Sequence, residues 1–205
     1  QSELTPQERG EYLGVATRQS RRIGLLVEQL LEAAKLEAGQ VTVNVEPFPI
    51  GELLQDVVQK FALVARDRGV TLELDTKAAA TMVNGDIALL ERVLDNLIDN
   101  ALRHTPAGGC VTVQSQPRGE RVRIAVTDSG PGLTREEAER AFERFYRGDP
   151  GRSTHSGQSG LGLAIVKSIL ELHGSNVAVK SQPGHGASFY FELPIVTQPP
   201  RTAPT

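Results

Sequence analysis

The N-terminal segment, residues 1–39, carries one apolar stripe with the repeat of an α-helix. Thr5-Pro6 is a favourable helix start, because threonine can cap a helix and proline fits its first turn, and Gly39 is a favourable end. The pattern predicts a helix of roughly 30 residues, far longer than the average globular helix of ~11–12. This length favours packing against another helix, although an ordinary surface helix stays possible. The stripe consists of Ala16, Ile23, Leu26, Val27, Leu30 and Ala34.

After Gly39, strand-like and helix-like patterns mix without strict alternation. Helical spacing predicts helices over 50–68, 86–104 and 161–173, with a short helical stretch over 135–145. This mixture predicts a mixed sheet with helices on one face. Strands are predicted over 41–45, 70–74, 80–83, 111–115, 121–127, 176–181 and 187–193.

Composition limits the classes of protein that fit. No apolar run approaches the ~18 residues of a membrane helix, and the N-terminus has no signal-peptide pattern. The net charge of -3 gives no indication of a nucleic-acid or lipid surface, so neither partner is expected for this chain. Cys110 is the single cysteine, which excludes an internal disulfide and suits a reducing compartment.

Two asparagines lie one turn apart on the helix predicted over 86–104. Asn96 and Asn100 share a helix face beside an apolar stripe, and Arg103 follows near them. An amide oxygen suits Mg²⁺, which proteins often share with substrate phosphates, and an arginine can neutralise phosphate. Amides in such positions more often satisfy backbone groups of a loop, so the residues alone leave both interpretations open.

Asp128 follows a predicted strand, and Gly130 and Gly132 come directly after it. Such an aspartate can direct its carboxylate into a pocket that the backbone also approaches. An ionised carboxylate only accepts hydrogen bonds, so it would pair with an exocyclic amino group such as that of adenine. Taken alone, the segment is more simply an ordinary turn, because aspartate, serine, proline and glycine are all turn residues.

A glycine-rich segment, residues 157–162, opens the helix predicted over 161–173. Glycines before a helix N-terminus expose backbone N–H groups and the positive end of the helix dipole, which together hold phosphate. The segment lacks the Gly-Lys-Ser or Gly-Lys-Thr of a P-loop, and a flexible hinge is the alternative interpretation.

The order of these elements is more specific than any one of them. Asn-x-x-x-Asn-Ala is followed by Asp-x-Gly-x-Gly, by residues 142–147, by Gly-x-Gly-Leu-Gly-Leu and by residues 184–188. This order resembles the N, G1, F, G2 and G3 boxes of the ATP-binding domain of sensor histidine kinases. Residues 21–39 resemble the second helix of the dimerisation and histidine-phosphotransfer domain of the same family, so the resemblance covers nearly the whole chain.

The resemblance implies the domain organisation and the fold. Residues 1–39 would form the second phosphotransfer helix, 40–195 the ATP-binding catalytic domain, and 196–205 a disordered, proline-rich tail. The implied fold class is α+β: a two-layer α/β sandwich of the Bergerat type, with a mixed sheet and three helices on one face, preceded by one long amphipathic helix. The implied cofactors are ATP and Mg²⁺.

The resemblance also implies a role for individual residues. Asn100 would be the magnesium ligand, and Asn96 would support the phosphate site. Arg103 and His104 would lie near the phosphates or the ribose, and Asp128 would bind the adenine amino group. The other implied contacts with nucleotide come from the glycine loops, from a lid over residues 133–159 and from the last box: Gly130, Gly132, Tyr146, Arg147, Gly160, Leu161, Gly162 and Ser188.

The acceptor histidine is the main departure from the family. The family phosphorylates a His that is followed by an acidic residue and then a Pro, and none of the four histidines has that context: His104, His155, His173 and His185. We therefore expect that the chain is a fragment without the acceptor helix, so that it would not phosphorylate itself. Two milder departures are Ser129, where the family more often has Asn, and Gln158, where it often has Gly.

In the whole protein, the resemblance implies transfer of the ATP γ-phosphoryl group to a His, and then to an Asp of a response regulator. It also implies a homodimer formed by the phosphotransfer helices, in the cytoplasmic part of a membrane-anchored sensor. Two alternatives remain: a nucleotide-binding adaptor without catalytic activity, and an ATP hydrolase of the related gyrase and chaperone type. The hydrolases have a Glu one turn before the magnesium Asn, whereas this chain has Asn96, which cannot act as a general base.

Overall fold

The computed structural model describes residues 5–146 and 160–196, which form one long helix followed by a helix–sheet domain. The helices are α1 (Pro6–Glu37), α2 (Ile50–Asp67), α3 (Ile87–His104), α4 (Arg135–Arg140) and α5 (Gly162–Leu172). The strands are β1 (Glu46–Pro49), β2 (Thr71–Thr76), β3 (Met82–Gly85), β4 (Cys110–Arg118), β5 (Arg121–Asp128), β6 (Ala178–Ser181) and β7 (Ala187–Pro194).

The larger sheet is mixed. Its five strands are ordered β2-β4-β5-β7-β6, and β2 runs parallel to β4 while the other neighbours are antiparallel. Strands β1 and β3 form a separate antiparallel pair. Helices α2 and α3 contact the larger sheet, and α5 packs on α3. The α+β architecture predicted from the sequence is confirmed.

Alternation along the central strands builds the core. Strand β5 is buried at every second residue and partly exposed at the others, which is the pattern of a sheet with one covered face. Its inward residues pack with the apolar face of α3. Leu94, Ile98, Ile124 and Phe191 are among the side chains with almost no exposed surface.

The C-terminal end of α1 packs on the helix–sheet domain. Ala33 and Leu36 are buried, and α1 contacts α5. Further toward the N-terminus, the stripe residues Ile23, Val27 and Leu30 are each about half exposed or more. The predicted long helix is confirmed. Among the described residues, only its last turns pack against the helix–sheet domain.

Two predicted elements are wrong. Residues 41–45 form no strand in the described part of the chain; the backbone N–H of Asn44 donates to the Asp86 carboxylate instead of to a neighbouring strand, at 2.9 Å. The short helix that begins at Arg135 ends at Arg140 and does not continue to 145, and Phe145 has a positive φ of 57° that a helix excludes.

Two observations bear on the predictions for the chain's C-terminal end and for membrane contact. The tail predicted over 196–205 lies outside the described residues except for Val196. Within 5–146 and 160–196, no helix is both long enough and apolar enough to cross a membrane.

Candidate functional site

Helix α3 sets the position of the two asparagines. Its N-cap is Asp86, whose Oδ1 accepts the Leu89 N–H at 3.1 Å. Ten residues on, the Asn96 side chain donates from Nδ2 to the Arg92 carbonyl oxygen at 2.8 Å, which fixes the amide orientation. Asn100 follows one turn later and is partly buried. Both amides therefore lie on one helix face beside the core, as the sequence predicts.

The N-terminus of α5 meets this face of α3. A Cβ atom added to Gly162 would lie 2.9 Å from Asn96 Oδ1, so the glycine allows the helix start to approach the amide. Among the described residues, no side-chain hydrogen bond caps α5 at Leu161. The first N–H groups of a helix have no partner within the helix. The structure thus places a helix N-terminus without a side-chain cap against Asn96.

Asp128 ends β5 with its side chain on the covered face of the sheet. Its Oδ1 accepts the backbone N–H of Gly130 at 2.9 Å and that of Ala187 at 3.3 Å. Within the described residues no hydrogen bond reaches its other oxygen, Oδ2, so this oxygen is open to a ligand. A buried carboxylate with one free acceptor is suited to bind an amino group.

Burial dominates the electrostatics of Asp128. It raises the pKa of the Asp128 carboxyl above its ordinary value, while the N–H groups of Gly130 and Ala187 and the nearby His104 pull the pKa down by smaller amounts. His104 is the last residue of α3, and its side chain is exposed. The C-terminal end of α3, the helix that carries the candidate magnesium ligand, therefore lies near Asp128, the candidate adenine ligand.

The glycine loop after Asp128 packs tightly on α3. A Cβ at Gly130 would lie 2.7 Å from the His104 carbonyl oxygen, so a larger residue would push the loop away from the helix. Gly132 lies further along the loop, where the Gly184 N–H donates to the Pro131 carbonyl oxygen at 2.6 Å. The first and last glycine boxes of the resemblance are thus in direct contact.

The described part of the lid ends at Tyr146. The Arg140 guanidinium lies 4.3 Å from the centre of the Tyr146 ring, a cation–π contact. The Phe145 N–H donates to the Gly160 carbonyl oxygen at 2.9 Å, which joins the described chain on the two sides of the segment 147–159. Arg147, predicted to contact nucleotide, lies outside the described residues, as do His155 and Gln158.

Arg103 lies at the edge of the site and is already paired. Its Nε is 2.7 Å from Asp99 Oδ2, one helical turn earlier, and both side chains are partly exposed. Its positive charge is therefore shared between Asp99 and any phosphate that binds nearby. Arg103 therefore lies near the asparagines of α3, but Asp99 already engages its guanidinium.

Ser188, which the resemblance assigns to nucleotide binding, lies on strand β7. Its hydroxyl pairs with the Thr127 hydroxyl at 2.8 Å, across the neighbouring strands β5 and β7. Successive residues of a strand point to opposite faces, so Ser188 lies on the face of the sheet opposite to Asp128. The backbone N–H of Ala187, one residue earlier, reaches Asp128 instead. Ser188 is therefore not part of the proposed adenine site.

Sequence reasoning missed two contacts that support Asp128. The first is the Ala187 N–H, which depends on the β5–β7 register and has no local signal in the sequence. The second is Ser129, whose hydroxyl accepts the Cys110 N–H at 2.8 Å while its own N–H donates to the Cys110 carbonyl oxygen. Serine thus fastens this loop to the start of β4, which gives a physical role to the departure from Asn.

The fold and the site together define an ATP-binding domain of the Bergerat class, with an Asn-bearing helix, an Asp–Gly loop and a glycine-opened helix. Residues 85–197 match the family model described as histidine kinase-, DNA gyrase B- and HSP90-like ATPase. The chain belongs to this family, and its ATP-binding domain is the catalytic domain of a sensor histidine kinase.

Individual relatives agree with this assignment. The chain is 34% identical over 180 residues to the sensor-like histidine kinase SenX3 of Mycobacterium tuberculosis, covering 88% of this chain and 44% of SenX3. It is 38% identical over 174 residues to the alginate biosynthesis sensor protein KinB of Pseudomonas aeruginosa, covering 85% of this chain and 29% of KinB. The crystal structure of full-length ShkA in complex with AMPPNP superposes with a TM-score of 0.79 and 30% identity, over 96% of this chain and 41% of that chain.

Proposed function

We propose that this domain binds ATP with Mg²⁺ and supplies the nucleotide site for transfer of the γ-phosphoryl group to a histidine on another helix. The observation that carries the proposal is the convergence of two features. Asn96 Oδ1 faces the N-terminus of α5, and the buried residue Asp128 has one carboxylate oxygen, Oδ2, that accepts no hydrogen bond from the described residues. The similar protein ShkA holds AMPPNP, which is an ATP analogue.

The residues fit each part of the nucleotide. Asp128 Oδ2 would accept from the adenine amino group, and the backbone beside Gly130 and Gly132 would lie against the base. The N–H groups at Gly160, Leu161 and Gly162 would hold phosphate at the start of α5. Asn100 would contribute an amide oxygen to Mg²⁺, and the metal would supply charge neutralisation at the phosphates.

Catalysis in such a site depends on position and charge. Phosphoryl transfer demands little covalent chemistry from the protein, so the work of these residues is to orient the phosphates and to exclude water. Tyr146, and Arg147 beyond it, would cover the nucleotide from the lid side. The phosphate would pass to an acceptor histidine and then to an aspartate of a response regulator, within a homodimer of a membrane-anchored, cytoplasmically oriented sensor.

Hydrolysis of ATP is less well supported. The position one turn before Asn100 is Asn96, and its amide has no basic oxygen for activating water. Asp99 does not substitute, because it is one residue from Asn100 on the helix and pairs with Arg103 at 2.7 Å. A non-catalytic adaptor is the other alternative, and it would keep nucleotide binding without phosphoryl transfer.

Calorimetry and a transfer assay test the proposal. Calorimetry should show ATP binding that strengthens with Mg²⁺ and weakens for GTP, and Asn100→Asp should impair the magnesium-dependent part while the chain stays folded. Radioactive ATP should label a separately supplied acceptor-helix domain but not this chain. Equal affinity for ATP and GTP would remove Asp128 from its role, and acid-labile label on this chain alone would point to one of its own four histidines as acceptor.

A further inference from the structure

His173 joins the two helices of the proposed phosphate site at the end farthest from it. It is the C-cap of α5, and its Nε2 accepts the backbone N–H of Asp86, the N-cap of α3, at 3.0 Å. Its Nδ1 lies 2.8 Å from the Ile169 carbonyl oxygen. Because Nε2 accepts, Nδ1 carries the proton and donates to Ile169, so the contacts select one neutral tautomer of the imidazole.

The Asp86–His173 contact has a counterpart at the other end of the same helix pair. Asn96 lies ten residues after Asp86 on α3, and Gly162 lies eleven residues before His173 on α5. At 1.5 Å per residue these separations are about 15 Å and about 16 Å. The two helices therefore run antiparallel and touch at two points with matching spacing, one at His173 and one at the Asn96–Gly162 approach.

Two contacts with matched spacing fix the register of one helix along the other. Apolar packing between helices permits small shifts along the axis, whereas a hydrogen bond of 3.0 Å at one end does not. The ring lies beside Gly85, since a Cβ added to that glycine would be 3.4 Å from His173 Cδ2. The position of the α5 N-terminus relative to Asn96 and Asn100 thus depends on the opposite end of α5.

We propose that His173 is a positioning residue for phosphate and Mg²⁺: it sets the register of α5 on α3, and through it the distance between the α5 N–H groups and the two asparagine amides. This inference rests on the proposed function. A slip of one residue would move the helix start by ~1.5 Å. Misplacement of a bound group by ~1 Å can cost ~10²-fold in an enzyme site.

Adenine binding should be independent of this register. Asp128 is held by Gly130 in its own loop and by Ala187 on β7, and neither contact involves α5. A change at His173 should therefore weaken the binding of phosphates with Mg²⁺, whereas the affinity for the nucleoside should not change. A purely structural role would not produce that difference, because partial unfolding would reduce both affinities together.

The test compares two substitutions of His173 that differ in the length of the new side chain. In His173→Gln, the side-chain oxygen can take the place of Nε2 and accept the Asp86 N–H. In His173→Asn, the amide is too short to reach it, although asparagine is well tolerated at a helix C-terminus. The control is Glu171→Gln, because Glu171 is exposed in the same last turn of α5 and its side chain lies 4.0 Å from Lys167 of that helix. Adenosine and ATP with Mg²⁺ are titrated by calorimetry, and folding is followed by urea denaturation.

We expect His173→Asn to weaken ATP·Mg²⁺ binding ~10-fold or more with adenosine affinity within about twofold of wild type, a loss of the size that misplacement produces. His173→Gln should restore most of the affinity, and Glu171→Gln should change nothing. Equal losses for adenosine and ATP·Mg²⁺, or no loss in His173→Asn, would overturn the positioning role alone. A wild-type chain that binds adenosine but gains nothing from phosphates and Mg²⁺ would overturn the proposed function, and this inference with it.

Discussion

Arg92 of α3 and Glu32 of α1 form an ion pair that joins the long helix to the ATP-binding domain, with Arg92 Nη2 2.7 Å from Glu32 Oε2. Arg92 lies one turn before Asn96, and its carbonyl oxygen accepts from the Asn96 side chain. Beside the pair, Ala33 and Leu36 of α1 are buried. The C-terminal end of the predicted phosphotransfer helix therefore packs on α5 and is joined by this ion pair to α3, which carries the proposed magnesium ligand.

Glu32→Gln should loosen this docking with little change in overall stability. The two side chains are 41% and 28% exposed, and such pairs are worth about 0.2–1 kcal/mol. We expect the amides of residues 29–36 to exchange hydrogen faster, since local opening needs less free energy than global unfolding. Glu28→Gln is the control, because Glu28 is exposed on the same helix. Unchanged exchange over 29–36 would show that Ala33 and Leu36 alone hold the helix.

Asp128→Asn should weaken nucleotide recognition while the loop around residue 128 keeps its conformation. Asparagine can still accept the N–H groups of Gly130 and Ala187, so the loop should keep its conformation. It replaces the charged acceptor for the adenine amino group, and a hydrogen bond to a charged group is worth about 1.5–3 kcal/mol. Calorimetry should show ATP affinity reduced ~10-fold or more and the preference over GTP diminished. A variant that still prefers ATP strongly would place adenine recognition elsewhere.

The pH dependence of the same carboxyl has a defined sign. Burial raises the pKa of Asp128, so the folded state holds this proton more tightly than the unfolded state does. From this group alone, the free energy of unfolding falls as pH rises from the ordinary aspartate pKa to the raised one, and then stays level. ATP binding changes in the opposite direction, because it needs the ionised form and should weaken as pH falls through the raised pKa. Asp128→Asn should remove both dependences in urea denaturation and in calorimetry carried out as pH series.

The sequence predicted the elements better than their contacts. Local patterns were sufficient for α3, since the Asp86 cap and the apolar repeat both lie within the helix. They failed at 41–45, where alternating valines indicated a strand but no neighbouring strand pairs with them among the described residues. They could not show on which face Ser188 lies, because that depends on the pairing of β5 with β7. The ordered boxes indicated the family, whereas the Ala187 and His173 hydrogen bonds required the tertiary structure.

Gly162→Ala should disturb the phosphate site specifically. The new methyl group would lie 2.9 Å from Asn96 Oδ1, so the amide must move away from the start of α5. We expect ATP·Mg²⁺ affinity to fall ~10-fold or more, as for a misplaced binding group, with adenosine affinity unchanged. Gly24→Ala is the control, because a Cβ there meets nothing within 4 Å, and alanine favours the helix. Normal ATP·Mg²⁺ binding by the Gly162→Ala variant would show that Asn96 has room to adjust.

The exposed part of α1 should make the chain self-associate. Ile23, Val27 and Leu30 are 60%, 49% and 50% exposed along one stripe, although burying such a side chain fully is worth about 1.5–3 kcal/mol. The last turns of α1 are docked on the ATP-binding domain, so a second copy can cover only the stripe that precedes them. We therefore expect a dimer through this stripe, consistent with the dimerisation helices that the family resemblance implies.

Ile23→Glu combined with Leu30→Glu should abolish that dimer in light scattering and leave ATP affinity unchanged, because charges on both sides of the interface would repel and lose their hydration. Lys35→Glu is the control: it lowers the net charge by the same amount on an exposed position about a third of a turn around the helix from the stripe. If the control also dissociates the dimer, charge rather than apolar contact holds the chains together. A wild-type chain that stays monomeric at high concentration, with α1 unprotected in hydrogen exchange, would show that the helix is stable only with a different partner.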